Sequence, residues 1–285
     1  MPLLKSFYLA RSLSLALLGS ILALAAGCHC CQKNADQDIA AQNVQVERGR
    51  PAPVLDTVGW IVGIPSKIVM LNHRVNNHNV TAKTETAMEE YLVRNDLDRV
   101  KVRINEYDPK GEWHRLRENK DVAWPVRYSL GTLSWVGYTL LPGRLFGGDR
   151  YNPFTNTIDL YSDVPAIAFY EGGRAKDYAG RKHKAIYAVA GEVPGLNIIH
   201  EVNASGNAIN YLYNFGTPEE LKDGYRTVYP AFAIDSSESL SAFTTWPIVL
   251  PAAAAGHIAG YVKASQVKEE PKPGKQSSEQ PPATQ

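Results

Sequence analysis

LYSDVPAIAFYEGGRAKD, residues 160–177, is the stretch from which the architecture of this chain can be read. Ser162 or Asp163 supplies a side-chain oxygen suited to capping a helix, and Pro165 is tolerated in a first helical turn. The following Ala166, Ile167, Ala168 and Phe169 are apolar, so the helix is expected to enter the core. Out of that run comes Tyr170-Glu171-Gly172-Gly173-Arg174. Two glycines inside a helix cost about 1 kcal/mol each relative to alanine, so the pair implies close approach of another backbone. A glutamate carried into the core implies a partner for its charge.

This segment resembles the HExxH helix of zinc metallopeptidases, with Tyr170 and Arg174 at the two histidine positions and Glu171 at the glutamate position. In that helix the histidines, four residues apart on one face, bind the metal, and the glutamate activates the metal-bound water. Downstream, HEVNASGNAINYL (residues 200–212) is similar to the helix that supplies the third ligand in gluzincins. In the CAAX prenyl endopeptidase group it reads roughly E-x-x-A-D-x-x-A. Glu201, Ala204 and Ala208 match, while Ser205 stands in place of the Asp. YNPFTNTIDLYS (residues 151–162) fits the edge strand that precedes the zinc helix in such folds. The chain also resembles uncharacterised bacterial proteins that carry GTLSWVGYTLLPGRLFGGD with an intact HEGGH.

The resemblance implies an α+β, zincin-like fold: a small sheet, an edge strand before the first helix, and a second helix carrying a glutamate. It also implies a disabled metal site. Zinc takes Cys, His or carboxylate donors; a neutral Tyr is a poor ligand, and a guanidinium has no lone pair to give. No zinc is therefore expected at the degenerate positions Tyr170, Arg174 and Glu201, and Glu171 is a vestigial general base. Arg174, three residues after Glu171, is expected to bridge Glu171 and Glu201 in place of the metal.

The N-terminus reads as an export signal, residues 1–27. Lys5 and Arg11 precede an apolar run from Leu13 to Ala26, and small residues lead into Cys28. That end resembles the bacterial lipobox, which implies lipidation of Cys28; an ordinary signal peptide or an uncleaved anchor is the other reading. All three cysteines lie in CHCC, residues 28–31, too tightly spaced for a tetrahedral zinc site. Polar residues 28–52 read as a lipidated tether, 53–264 as the globular domain, and the Pro-, Gln-, Ser- and Lys-rich residues 265–285 as a disordered tail.

Three apolar clusters punctuate the domain. PVLDTVGWIVGIPSKIVMLN (residues 53–72) is interrupted by Gly59, Gly63 and Pro65 and reads as a buried or interfacial segment rather than a span. TLSWVGYTLLPGRLFGGD (residues 132–149) reads as core and tight turns. TTWPIVLPAAAAGHIAGYVKA (residues 244–264) contains Gly256-x-x-x-Gly260, which permits close helix approach, in a helix of about a dozen apolar residues. Between them, Thr81–Leu97 has helical spacing. Arg99–Tyr107 alternates as a half-buried strand with a solvated charged face, and Glu112–Lys120 suits a short helix. Val126–Leu130 reads as a strand, and Pro218–Arg226 as a polar loop and helix start. The basic residues around Arg181, Lys182 and Lys184 read as helix-end surface or as a contact for lipid head groups.

With a net charge of +1 over 285 residues, nothing in the composition argues for a nucleic-acid partner. The leading functional expectation is an envelope lipoprotein, held to membrane lipid through Cys28 and facing the periplasm, whose metal-free zincin-like domain binds or scaffolds an envelope protein. One alternative is an active zinc peptidase with unusual ligands drawn from His183, His200 and Glu201. His200 and Glu201 diverge by about 100° on a helix, which opposes a shared metal. The other alternative is a structural envelope lipoprotein unrelated to peptidases.

Overall fold

A computed structural model describes residues 44–146, 148–241 and 248–268. The signal, Cys28 and most of the tail lie outside the described residues. In chain order the elements are β1 (Gln45–Arg48), α1 (Pro53–Val62), α2 (Ile64–Val69), α3 (Ala82–Arg94), β2 (Lys101–Ile104) and α4 (Pro109–Glu118). A helical path follows through α5 (Trp124–Val126), a π turn at Arg127–Gly131 and α6 (Thr132–Leu140), then α7 (Gly143–Phe146). The hairpin of β3 (Arg150–Asn152) and β4 (Thr157–Leu160) precedes α8 (Pro165–Ala179), α9 (Lys184–Gly191), α10 (Ile198–Phe215), α11 (Pro218–Ser241) and α12 (Val249–Ser265). The fold is α+β and mostly helical.

The sheet runs β1-β2-β4-β3, with the first three strands parallel and β3 antiparallel on the edge. Its β1 comes from the stretch expected to be tether. Pairing with β2 uses backbone groups, and Val46 alone of that strand packs on the core. Val102, Ile104, Ile158 and Leu160 point to one face and pack with Met88, Tyr91 and Leu92 of α3, Phe169 of α8, and Ala208 and Leu212 of α10.

The other face of the sheet is not solvated as expected. β2 is an inner strand covered by α4, so Arg103 is fully buried and pairs at 2.8 Å with the equally buried Glu112. Asn152 and Thr155 donate to the second oxygen of Glu112.

Two further expectations are corrected. Val126–Leu130 is helical, because Pro125 sits in a first turn and Val126 and Leu130, four apart, both pack on the satellite cluster of Leu116, Val122 and Phe154. Residues 218–241 form one long helix, with Pro230 accommodated inside it. Of the third apolar cluster, residues 244–247 lie outside the described residues, and residues 249–264 fall in α12, which is longer than a dozen residues and packed on α11. A Cβ on Gly256 would lie 2.7 Å from the Pro230 Cα, and one on Gly260 would lie 2.5 Å from the Tyr225 carbonyl oxygen. Among the described residues no helix is long and apolar enough to cross a membrane.

Candidate functional site

The site is built where α8 meets α10 and α11. Pro165 opens α8, but neither Ser162 nor Asp163 caps it; Val164 holds the cap position. Asp163 instead accepts hydrogen bonds from the Thr81 backbone, the Thr81 and Thr84 hydroxyls and Arg74, so it fastens the start of α8 to the start of α3. From Ala166 to Gly173 every residue of α8 is buried. The glycine pair faces two neighbours. A Cβ on Gly172 would lie 2.6 Å from the Tyr91 ring of α3, and one on Gly173 would lie 2.4 Å from the Ala204 carbonyl oxygen of α10. Asn207 donates to the Gly173 carbonyl at 3.1 Å, and Ala204 and Ala208 are fully buried in the same seam.

That seam brings Tyr170, Glu171, Arg174 and Glu201 together. Arg174 Nη1 donates to both Glu171 oxygens at 3.1 Å. Its Nη2 and Nε donate to Glu201 Oε2 at 2.6 and 3.2 Å. The Tyr170 hydroxyl donates to the same oxygen at 2.6 Å, and the guanidinium carbon lies 4.7 Å from the Tyr170 ring centre. A third carboxylate, Asp235 of α11, accepts from Arg174 Nη2 at 2.5 Å. Sequence reasoning missed Asp235. The signal available was a lone acid directly after the apolar run Ala231–Ile234.

One guanidinium among three acids cannot neutralise them all. Burial raises the Glu171 carboxyl to about 8, against the pull of Arg174 and with help from the charges of Asp235 and Glu201. Burial likewise raises Asp235 to about 7, again opposed by Arg174. Burial and the neighbouring acids push the Tyr170 hydroxyl well up, so it stays a neutral donor. The group as a whole therefore carries protons near neutrality, as closely spaced buried carboxylates must.

Beside this network opens a cavity of about 130 Å³, lined among others by Tyr151, Arg174, Tyr178, Glu192, His200 and Glu201. Tyr151 comes from the edge strand β3. Glu171 is 3% exposed and does not line the cavity. Its carboxyl is thus closed off from the cavity.

The remaining expected ligands are not brought together. His200 stacks on Tyr187 with ring centres 3.8 Å apart, and burial lowers its basicity. His183 is exposed at the start of α9. The Ser205 hydroxyl turns back to the Val202 carbonyl of its own helix. Among the described residues no group of three or more His, Cys, Asp or Glu side chains is arranged to hold a metal ion. Of the basic residues near Arg181, Arg181 pairs with Asp177 and Lys184 with Asp121, while Lys182 is exposed. No protein-family model, curated protein or solved structure matches the chain.

Proposed function

We propose that this chain is an exported envelope lipoprotein whose zincin-like helix pair has exchanged its metal for an arginine, and that it acts by binding rather than by hydrolysis. The observation that carries this reading is the Arg174 guanidinium between Glu171 and Glu201, where the resemblance puts a dication. A guanidinium gives hydrogen bonds and positive charge but polarises no water as a Lewis acid does. Glu171 is buried and does not line the cleft, so it is not placed to take a proton from a water there.

The zincin-like reading draws support from the antiparallel edge strand β3 beside parallel strands, from α8 following directly on β4, and from Tyr151 of β3 lining the same cleft as Arg174 and Glu201. The cleft gives the domain a place to hold a partner group, which favours binding over a purely structural role. An active peptidase using His200 is disfavoured, because the other expected imidazole, His183, is exposed at the start of α9 rather than beside His200 and Glu201.

Elemental analysis of the purified full chain tests the metal part: it should carry no stoichiometric zinc and cleave no generic peptide. Chelator-sensitive proteolysis that disappears in Glu171→Gln would overturn it. Labelling cells with a fatty-acid analogue tests the anchor. Wild type should be marked and Cys28→Ala should not.

A further inference from the structure

α1 is attached to the domain in the reverse of the usual way. A surface helix ordinarily turns its apolar stripe inward and its charge outward. Here the one charged residue, Asp56, points in and pairs with Arg144 of α7 at 2.8 Å, and Arg144 also donates to the Arg50 carbonyl at 2.6 Å. The one buried residue of α1 is Gly59, whose missing Cβ would lie 2.4 Å from the Arg144 carbonyl oxygen. A glycine and an ion pair hold the helix down. Val54, Leu55, Val58, Trp60, Ile61 and Val62 all remain exposed, Val54 at 77%.

The exposed apolar surface continues beyond α1. Ile64 and Ile68 extend it along α2 and Leu71 just beyond that helix, and Phe146 lies on α7, the helix against which α1 packs. Exposed apolar surface on this scale marks an interaction site rather than ordinary scatter. Between Pro53 and Asn72 the only charged residues are Asp56 and Lys67. Lys67 is buried and donates to the Trp60 and Asn76 carbonyls, so the face presents no free charge.

We infer that this face seats in the surface of a lipid bilayer, as a second attachment beside the lipid on Cys28. The inference rests on the lipoprotein reading for its choice of occupant. The N-terminal stretch outside the described residues ends at Asn43, and about 16 residues separate Cys28 from Val44, a reach of at most roughly 55 Å. β1 then leads within a few residues into α1. The bilayer holding the lipid is thus kept within range of this face, whereas a diffusing partner is not. Ten residues of helix measure about 15 Å, half the roughly 30 Å of a hydrocarbon core. α1 therefore lies in the interface with Trp60 at head-group level, and does not cross.

Tryptophan quenching tests this. The full lipidated chain is placed on phosphatidylethanolamine–phosphatidylglycerol vesicles with brominated acyl chains, and wild type is compared with Trp60→Phe. A quenched component present in wild type and missing from Trp60→Phe supports the inference. So does its loss in Ile61→Glu with Ile68→Glu, two outward-facing changes whose folding is checked by circular dichroism. Equal quenched fractions in wild type and Trp60→Phe overturn it. A vesicle-free dimer that shields Trp60 from an aqueous quencher, and that Ile61→Glu disperses, also overturns it by showing a second copy on this face. Fatty-acid labelling of Cys28 is read separately. Labelled protein with unquenched Trp60 sinks the face and spares the anchor, and unlabelled protein with quenched Trp60 does the reverse.

Discussion

Arg174 is the residue on which the site balances. It serves three carboxylates at once with its side chain only 17% exposed, so its removal leaves Glu171 and Glu201 facing one another without a cation. Arg174→Ala should cost about 3–5 kcal/mol in chemical denaturation, the range for breaking a buried pair from one side. A variant that unfolds with wild type would show the network to be idle. Glu171 adds a pH dependence. Its ordinary value of 4.5 is raised to about 8 in the fold, chiefly by burial. Between those values the folded protein holds a proton that the unfolded chain has lost. Stability from this group is complete below about 4.5 and falls as pH rises through about 8, by at most about 1.4 kcal/mol per pH unit. Asp235 adds the same sign up to about 7, but its side chain is a third exposed, so solvent weakens its share. Glu171→Gln carries no titrating proton and should flatten the stability curve between pH 5 and 8.5. Parallel curves for the two proteins would contradict this assignment. The contact of Glu171 with Arg174 is legible in the sequence because three residues along a helix fix the geometry. Asp235 is not, because it lies 61 residues away and only the packing of α11 delivers it.

At the scale of elements, the glycine pair of α8 sets how closely the two acid-bearing helices approach. Gly173 meets a backbone carbonyl, which cannot swing aside as a side chain can. Gly173→Ala should therefore cost about 1–3 kcal/mol, and it should also weaken the Arg174–Glu201 contact by spreading the seam. Gly206 on α10 is exposed with nothing within 4 Å of its missing Cβ, so Gly206→Ala should gain up to about 1 kcal/mol. Thermal melting of the two variants should move in opposite directions; loss of stability in Gly206→Ala as well would contradict the open space at Gly206. The cost of two glycines in a helix is what makes the close approach readable without a structure. Other elements resist such reading for definable reasons. Val126–Leu130 has strand-like residues, yet the neighbouring Pro125 and the apolar cluster at Leu116 select a helix. Arg103 sits in an alternating strand whose polar side is roofed by α4, and one strand's sequence does not announce what lies above it.

For the whole molecule, the α+β class is expected from the zincin resemblance, but the single edge strand expected over residues 151–162 is a hairpin whose second strand, β4, is an inner strand of the sheet. The sheet's β1 cannot be read in the sequence, since QVER looks like the polar tether before it and is recruited by backbone pairing alone. Two of the apolar segments pack through their small residues. α12 packs on α11 through Gly256 and Gly260 with Leu250, Ile258, Tyr261 and Val262 exposed, and α1 packs on Arg144 and His78 through Gly59 with its larger apolar side chains exposed. The same sequence property, a glycine-broken apolar run, thus gives in both places a helix seated by its small residues with larger apolar side chains outward.

We propose that Arg174 stands where a zincin holds its metal, and a pair of histidines tests this. Tyr170→His combined with Arg174→His removes the guanidinium and offers two imidazoles four residues apart, facing Glu201 across the seam. Those three donors suit zinc, whose binding to the folded state alone stabilises by about 2.7 kcal/mol at a hundredfold excess over Kd. Melting of the double variant should rise by roughly 5–10 °C on adding zinc, while wild type stays put. A folded double variant whose melting ignores zinc, or a wild type that shifts equally, would contradict the account.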